Sequence, residues 1–346
     1  MGSVQTSICT RMQQEILEIP DAVERLLQNG ATTIGKAADE VRQFNPTFLL
    51  SVARGSSDHA CTYLKYVSEL ILQRPMASVG PSVNSIYKTN LRCESALSIS
   101  ISQSGMSPDI VLMTRSIRDS GGLAIAITND PASDLAAASS LTLPIHAGRE
   151  LSVAATKTFV TSLLTGLWLI AEIKRDHDLI AAIHKLPGHL EAATQCDWPA
   201  IDHNLAGKSL YTIGRGPSWA IANETALKFK ETCRIQAESY SSAEIMHGPV
   251  SIVEDGFPII AFATADAAEQ SIADAADALA NKGAAVFATT NKVKNATPLP
   301  HVRTDHWLTD SISAIVSFYN MVATVAQANG INPDTPRHLS KVTETL

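Results

Sequence analysis

The chain has 346 residues, of which 45% are hydrophobic and 18% are charged. This length favours two domains or one large α/β unit, and the hydrophobic share excludes a chain that is disordered throughout. The 27 basic and 34 acidic residues give a net charge of −7, and no run of Lys or Arg exceeds a dipeptide. We therefore expect no nucleic-acid partner.

The cysteines and the apolar segments indicate the compartment. Five cysteines are odd in number and form no CxxC pair, so we expect neither a disulfide framework nor a zinc site. The N-terminus lacks the basic-then-apolar order of a signal peptide, and the longest apolar stretch, residues 163–173, is too short to cross a bilayer. These features predict a cytoplasmic protein with no membrane partner.

Short apolar runs rich in β-branched residues follow one another along the chain. Helices are expected over residues 1–47, ahead of the first run, with a helix start near Pro20. Runs then begin near positions 49, 95, 122 and 141 and are separated by stretches of helix length. This is the pattern of buried parallel strands joined by crossover helices.

The second half of the chain repeats the first at an offset of 161 residues. Five segments align without a gap: 49–57 with 210–218, 95–105 with 256–266, 122–130 with 283–291, 141–145 with 302–306, and the apolar helix after Ser152 with the one after Ser313. Such a repeat predicts a repeated architecture. The expected fold is α/β, with two tandem doubly wound parallel-sheet domains of the flavodoxin-like, three-layer αβα type.

These elements divide the chain into five parts. The connector between the two halves is rich in His, Leu and Ala and is expected to be helical but broken at Pro187-Gly188. The expected parts are N-terminal helices over 1–47, a first domain over 48–175, the connector over 176–200, a second domain over 201–331, and a C-terminal tail over 332–346.

The loop at 102–107, Ser-Gln-Ser-Gly-Met-Ser, follows the second long strand of the first half. Ligands of open parallel sheets bind beyond the carboxyl ends of the strands, where backbone amides and hydroxyls can hold a phosphate. The equivalent Ala-Thr-Ala-Asp loop at 263–266 has lost hydroxyls and gained a carboxylate. Many such loops are only turns, but the hydroxyl-rich turn at 54–57 borders the same crevice. We predict one phosphate pocket per chain.

Titratable residues are concentrated in the second half. Glu224, Lys228 and Glu231 share one helix face by their spacing. A solvated ion-paired face is the commoner meaning of such spacing, whereas the position after a glycine-rich strand end favours the ligand crevice. His247, in a loop closed by Gly-Pro, is a candidate general acid or base. Lys341 is, by composition alone, an ordinary tail lysine.

Six motifs, in this order, resemble the sugar isomerase (SIS) domain pair that forms the isomerase half of glucosamine-6-phosphate synthase and its ammonia-using and deaminating relatives. The resemblance runs from about Met12 to the C-terminus. The motifs are the Ala-Arg-Gly-Ser-Ser of 53–57, the Ser-Gln-Ser-Gly of 102–105, the Val-Ala-Ala-Thr-Lys of 153–157, the stretches 224–231 and 243–249, and the Pro-Arg-His-Leu-Ser-Lys of 336–341.

The resemblance implies a substrate site for a sugar phosphate. The residues implied to hold the phosphate are Ser102, Gln103, Ser104 and Ser107. Ser56, Ser57 and the backbone near Val153 are implied to contact sugar hydroxyls. Ala155 stands where the synthase has a hydroxyl, and Gly105-Met106-Ser107 replaces its Gly-Glu-Thr, which leaves the sugar specificity open.

The resemblance also implies the catalytic groups. Glu231 matches the base that moves a proton between C1 and C2, and Lys228 matches its neighbouring lysine. His247 matches the residue that opens the sugar ring, which in the family comes from the neighbouring subunit, so a homodimer with shared sites is implied. Lys341 matches the tail lysine that engages the open-chain sugar.

The chain is accounted for by the two halves and their flanking helices, without a glutaminase domain. We therefore expect isomerising deamination, in which glucosamine-6-phosphate and water give fructose-6-phosphate and ammonia, with no metal or other cofactor. The alternatives are an isomerase or deaminase of galactosamine-6-phosphate or fructosamine phosphate, an ammonia-dependent fructose-6-phosphate aminotransferase, and a sugar-phosphate sensor without turnover.

Overall fold

The structure, a computed structural model, describes residues 9–198 and 209–341. The expectations for residues 1–8, 199–208 and 342–346 lie outside the described residues. Two helices precede the first strand: α1 (Arg11–Leu17) and α2 (Ile19–Phe44). A reciprocal cap starts α1, since Gln13 N donates to Thr10 Oγ1 at 3.2 Å and Thr10 N donates to Gln13 Oε1 at 2.9 Å.

The first sheet has five parallel strands in the order β2-β1-β3-β4-β5. They are β1 (Phe48–Val52), β2 (Met76–Ser78), β3 (Ala96–Ile101), β4 (Leu123–Thr128) and β5 (Leu141–Pro144). Its helices are α3 (Ser56–Val67), α4 (Ser82–Ser85), α5 (Pro108–Asp119), α6 (Asp134–Ala138) and α7 (Lys157–Lys174). All six residues of β3 are buried, as expected for a central strand covered on both faces.

The second sheet has the equivalent order, β10-β9-β8-β6-β7, and is also parallel. Its strands are β6 (Ser209–Gly214), β7 (Gln236–Ser241), β8 (Pro258–Ala261), β9 (Ala285–Ala288) and β10 (Thr297–Pro298). The remaining helices are α8 (His177–Thr194), α9 (Pro217–Lys228), α10 (Glu269–Ala280) and α11 (Trp307–Ala328). The predicted fold class, two tandem doubly wound α/β domains, is confirmed.

The 161-residue offset holds for the helices as well as for the first strands. Both ends of α9 lie 161 residues after those of α3, and the same is true of α10 and α5. Each of α3 and α9 continues into a five-residue π-helical turn, Ser68–Leu72 and Phe229–Cys233. The two domains therefore share the unusual end of this helix as well as their sheet order.

The offset fails after β9. The fifth strand, β10, lies at Thr297–Pro298, so the predicted strand at 302–306 is wrong, and α11 begins at Trp307, so Ser313 lies inside that helix. The physical reason is a shorter connection in the second domain, where no helix equivalent to α6 lies between β9 and β10 in the described residues.

The connector helix α8 is continuous, so the predicted break at Pro187-Gly188 is wrong. A proline inside a helix costs roughly 3 kcal/mol, because it lacks an N–H and crowds the preceding turn. One face of α8 is buried along its length, through Leu179, Ile183, Leu186 and Leu190. Packing of this face against the core offsets the local cost of the proline.

The helices between the two sheets form the main core. Helix α7 packs on α2 and α3, and α3 packs on its counterpart α9. Gly166 of α7 allows a close approach, since a Cβ there would lie 2.4 Å from Leu64 Cδ1. Within the described residues, one helix, α11, is long and apolar enough to cross a membrane, but 78% of that stretch is buried inside the protein. It is therefore a core helix.

Candidate active site

A buried cluster of charges lies on α9, where this helix faces α3. Lys228 Nζ lies 3.3 Å from Glu224 Oε1, forms an ion pair with Glu231 Oε2, and donates to Ser56 Oγ at 3.2 Å. The side chains of Glu224 and Lys228 are fully buried, and that of Glu231 is 19% exposed. The solvated-face interpretation is therefore wrong for Glu224 and Lys228, and the cluster joins both domains.

Two further residues complete the cluster. His59 Nδ1 of α3 lies 2.8 Å from Glu224 Oε2, and Tyr319 of α11 donates its hydroxyl to Glu224 Oε1 at 3.5 Å. A buried carboxylate needs such partners because water cannot solvate it. Sequence reasoning gave His59 and Tyr319 no role, since each belongs to an element far along the chain from α9.

The electrostatics keep Lys228 charged. Burial alone would lower the pKa of Lys228, but the charges of Glu224 and Glu231 and their hydrogen bonds raise its pKa overall. Burial, followed by the negative charge of Glu224, raises the pKa of Tyr319 well above its usual range. At neutral pH the cluster therefore contains an ammonium and a neutral phenol.

The backbone of Glu231 is π-helical. The five-residue turn Phe229–Cys233 follows α9 directly and ends at Arg234, which has φ +55°. Thr232 Oγ1 donates to Lys228 O at 2.7 Å within this turn. A π-helical turn re-aims the side chains that follow a regular helix and is frequent at functional sites. Here Glu231 is the partly exposed member of the trio, so its carboxylate connects the buried lysine to the crevice.

The hydroxyl turn at the end of β1 lies opposite this cluster. Gly55, at φ +57°, precedes Ser56 and Ser57, the first residues of α3. Arg54 donates to the buried Asp109 of α5 through Nε at 2.9 Å and Nη2 at 2.7 Å. This ion pair ties the hydroxyl turn to the helix that follows the predicted phosphate loop.

The predicted phosphate loop is a tight turn between β3 and α5. Gly105 N donates to Ser102 Oγ at 3.1 Å, and Met106 N donates to Ser104 Oγ at 3.3 Å. Gly105 has φ +64°, and a Cβ there would lie 2.1 Å from Ser133 Oγ. Glycine is therefore required at this position. Gln103 and Ser107, at the two sides of the turn, are half-buried.

The equivalent loop of the second domain is occupied by the protein's own carboxylates. Ala265 N donates to Asp310 Oδ2 of α11 at 2.9 Å, and Ala268 N donates to Asp266 Oδ1 at 2.8 Å. A cavity of about 820 Å³ lies beside this loop, with Arg215 and Trp307 in its lining. Its lining does not include the loop at 102–107.

The C-terminal tail returns to the loop between β5 and α7. Lys341 Nζ lies 2.7 Å from Glu150 Oε2 and also donates to Ser152 O at 2.7 Å. Burial alone would raise the pKa of Glu150, but the charge of Lys341 and hydrogen bonds from Lys341, Thr158 and Thr156 lower its pKa overall. The tail lysine therefore lies beside the segment that contains Val153 and Ala155, two further predicted site residues.

His247 does not join the cluster within one chain. It follows a short 3-10 turn, Glu244–Met246, and its backbone N donates to Glu244 O at 2.9 Å. The residue is exposed, and its ring forms no hydrogen bond or ion pair with the part of the chain that the structure describes. The structure thus brings together Ser56, Lys228 and Glu231 but leaves His247 apart from them.

The cysteines and metal-ligating residues add no second centre. All five cysteines are free, and burial raises the pKa of Cys233 to about 11. Over residues 9–198 and 209–341, no group of three or more His, Cys, Asp or Glu side chains is placed to hold a metal ion. The absence of a metal or cofactor from the reaction stays a prediction.

The two equivalent sheets, with a charged cluster between their first helices, define a tandem α/β protein with a composite site. The SIS domain model matches residues 48–172 and 206–328, so the chain belongs to the SIS domain family. Both halves of the repeat are therefore SIS domains, as the sequence motifs predict.

Three relatives show how far the similarity extends. The chain is 30% identical over 345 residues to the glutamine–fructose-6-phosphate aminotransferase (isomerizing) of Sulfolobus acidocaldarius, covering 95% of this chain and 56% of that protein. It thus spans little more than half the length of that relative. A Silicibacter pomeroyi protein, whose assignment as a phosphosugar isomerase is provisional, is 56% identical with a TM-score of 0.91, covering 94% of this chain and all of that one.

The third is the glucosamine-6-phosphate deaminase of Thermotoga maritima, which is 20% identical with a TM-score of 0.78. The match covers 97% of this chain and all of the Thermotoga chain. At this identity the likeness shows a shared fold and no more.

Proposed function

We propose that the protein is a phosphosugar isomerase that deaminates glucosamine-6-phosphate, giving fructose-6-phosphate and ammonia. The observation that carries this proposal is the contact of Lys228 with Ser56 on one side and Glu231 on the other. It joins a hydroxyl turn suited to a sugar with a carboxylate suited to proton transfer. The similarity to the Silicibacter protein supports the isomerase class.

In this proposal Glu231 moves the proton between C1 and C2 of the open-chain sugar. The carboxylate that accepts the proton is ion-paired with the adjacent ammonium of Lys228, which fixes its position at the edge of the crevice. The hydroxyls of Ser102 and Ser104 accept hydrogen bonds from backbone N–H groups within the turn and keep their own O–H groups to donate. Together with Gln103 and Ser107 they hold the phosphate at the far end of the sugar. Fixing both ends of the substrate converts proton transfer into an intramolecular step.

His247 and Lys341 would act before and during the proton transfer. We assign ring opening to His247 of a second subunit, because its exposed position leaves it free to reach a neighbouring chain. Lys341 lies next to the loop containing Val153, where its ammonium would meet the open-chain sugar. Ser57 and Ala155 would border the sugar between these groups.

The direction of the reaction follows from mass action. Hydrolysis needs only water and the groups of this site, whereas amination needs ammonia at high concentration. The competing function is ammonia-dependent synthesis, which the similarity to the Sulfolobus aminotransferase favours. These two functions are the two directions of one reversible reaction, so fructose-6-phosphate with excess ammonium should also give amino sugar. The KM for ammonia, compared with the ammonia concentration at which the protein works, decides which direction prevails.

The direct experiment is Glu231→Gln. We expect ammonia release from glucosamine-6-phosphate to fall by at least about 10³-fold, in line with loss of a general base, while the substrate still raises the melting temperature. Glu254→Gln, at an exposed glutamate of the same domain, should retain wild-type turnover. Substantial turnover by the Glu231→Gln variant would overturn the mechanism.

Running the same assay with galactosamine-6-phosphate and a fructosamine phosphate tests the substrate. Release of ammonia from one of these in preference to glucosamine-6-phosphate would move the assignment to that sugar. Stabilisation by all three without turnover would make the protein a sensor.

A further inference from the structure

The loop between β5 and α7, which contains Val153, is held from outside by a carboxylate of the N-terminal helix. Glu15 of α1 accepts hydrogen bonds from the backbone N–H groups of Leu151 and Ser152, the latter at 3.2 Å to Oε2. Glu15 is only 4% exposed. These backbone N–H groups therefore donate to a carboxylate and not to water. A hydrogen bond to a carboxylate is stronger than one between two neutral groups.

The same helix is bonded to the C-terminal tail at its other end. Arg11 N donates to Asp334 Oδ2 and Met12 N donates to Asp334 Oδ1, both at 2.9 Å. Asp334 thus satisfies amides that the first turn of a helix leaves without partners. The tail then continues to Lys341, which bonds to Glu150 and to Ser152 O.

Through these contacts α1, the loop and the tail are each bonded to the other two. Glu15 holds the amide of Ser152, while Lys341 bonds the carbonyl of the same residue. The seven residues of α1 are too few for a helix that is stable alone. Its two ends therefore depend on the loop and the tail, and the loop and tail depend on it in turn.

We propose that Glu15 is a positioning residue that sets the loop at Ser152 so that Lys341 can dock beside it. The proposal rests on the proposed function in one respect, namely that Lys341 acts on the substrate. A purely structural role for α1 is the alternative, because Met12 and Ile16 of this helix are buried in the core.

The two roles differ in what Glu15→Gln changes. The amide side chain of glutamine can accept one of the two hydrogen bonds but places an NH₂ group against the other backbone N–H. The loop then moves, and Lys341 loses its binding position beside Ser152. Met12→Ala removes packing under the same helix without touching the loop carboxylate. Glu40→Gln, at an exposed position of α2, is the neutral control.

The first measurement is limited trypsin digestion of the protein, with mass detection of cleavage after Lys341. Trypsin cuts after Lys341 only when its side chain leaves Glu150. We expect cleavage to be about tenfold faster with Glu15→Gln and unchanged with Glu40→Gln. Cleavage follows the fraction of molecules in which Lys341 has left Glu150, and the lost hydrogen bonds of Glu15 raise that fraction. Unchanged cleavage of the Glu15→Gln variant would overturn the proposal.

The second measurement is steady-state kinetics on the same proteins. With Glu15→Gln, kcat should fall about tenfold while KM changes by less than about threefold, because phosphate binding at the 102–107 loop is untouched. Equal effects of Met12→Ala and Glu15→Gln on cleavage and on kcat, at matched thermal stability, would assign α1 a structural role only. If the wild-type protein releases no ammonia, the proposed function fails, but the cleavage result still decides the role of Glu15.

Discussion

Lys228 shows how a single buried charge defines the site. It is completely enclosed, yet it contacts carboxylates of α9 and of the π-helical turn and a hydroxyl of the other domain. An ammonium in such a place is tolerated only because its partners are anionic. The same contacts that keep it charged hold Glu231 at the edge of the crevice, so in the proposed mechanism both stability and proton transfer depend on this residue.

Replacing this residue tests that dependence. Lys228→Met should lower the free energy of unfolding by about 3–5 kcal/mol, because Glu224 is left as a buried charge that has lost its cation. Urea denaturation measures the change. Lys230→Met, at the exposed neighbour in the π-helical turn, should alter stability by less than about 0.5 kcal/mol. Similar losses in both proteins would contradict the central role of the buried ammonium.

At the scale of the secondary-structure elements, the turn between a strand and the following helix sets the position of the site hydroxyls. The loop between β3 and α5 turns so tightly that its fourth residue must be glycine, and the Ser102 and Ser104 hydroxyls stabilise it from within. The second domain has the same strand and helix at this place but bonds its loop to Asp310. The difference between the predicted phosphate loop and its closed counterpart thus lies in a few side chains on the same backbone plan.

Gly105→Ala tests the loop. The added Cβ would collide with Ser133 and impose strain at a positive φ, so we expect the KM for the sugar phosphate to rise by at least about tenfold. Gly35→Ala, inside α2 with open space around the Cβ position, should instead raise stability by about 0.5–1 kcal/mol. Kinetics and thermal melts of the two proteins make the comparison. Normal KM with Gly105→Ala would remove this loop from the substrate site.

The tail contact makes a pH-dependent contribution whose sign is set by Glu150. Its pKa is lowered from the ordinary 4.5, so the folded protein favours the carboxylate form, and this stabilisation is present in full above the ordinary pKa. It is lost as the pH falls through the lower folded pKa. The difference in unfolding free energy between wild type and Glu150→Gln should therefore be constant at neutral pH and shrink below about pH 4.5. A difference that grows on acidification would contradict this.

At the scale of the whole molecule, two equivalent domains carry different polar groups at the candidate site. The first presents the hydroxyl loops, and the second presents the carboxylate and lysine, with α3 and α9 packed where the two meet. The composite cluster exists because the copies face each other through equivalent helices. His247 stands outside this arrangement, on an exposed surface of the second domain.

A mixing experiment tests whether a second subunit supplies His247. Glu231→Gln and His247→Ala proteins should each be inactive alone, yet a mixture refolded together should regain about a quarter of wild-type activity, because half of randomly formed dimers contain one site with both residues intact. Each protein refolded alone is the control. No recovery, with dimers present by size-exclusion chromatography, would place His247 outside a shared site.

Local pattern was enough to predict the fold. Parallel strands buried on both faces leave continuous β-branched runs in the sequence, and the duplication repeats them at one offset, so two doubly wound domains could be inferred before any contact was known. The repeat predicted wrong positions for β10 and α11. The connection after β9 is shorter than its counterpart in the first domain, and no pattern of apolar residues in the sequence marks that shortening. The break predicted at Pro187 was wrong because packing along α8 outweighs a local propensity.

What the sequence by itself determined is therefore the architecture and the chemistry available at each strand end: hydroxyls in the first half, carboxylates and a lysine in the second. Only the tertiary structure decided which of these groups meet. Glu224 is bonded by His59, 165 residues away, and by Tyr319, 95 residues away, while Glu15 reaches a loop 137 residues further on. Burial and pairing at such separations depend on how helices pack, and spacing along the chain does not encode them.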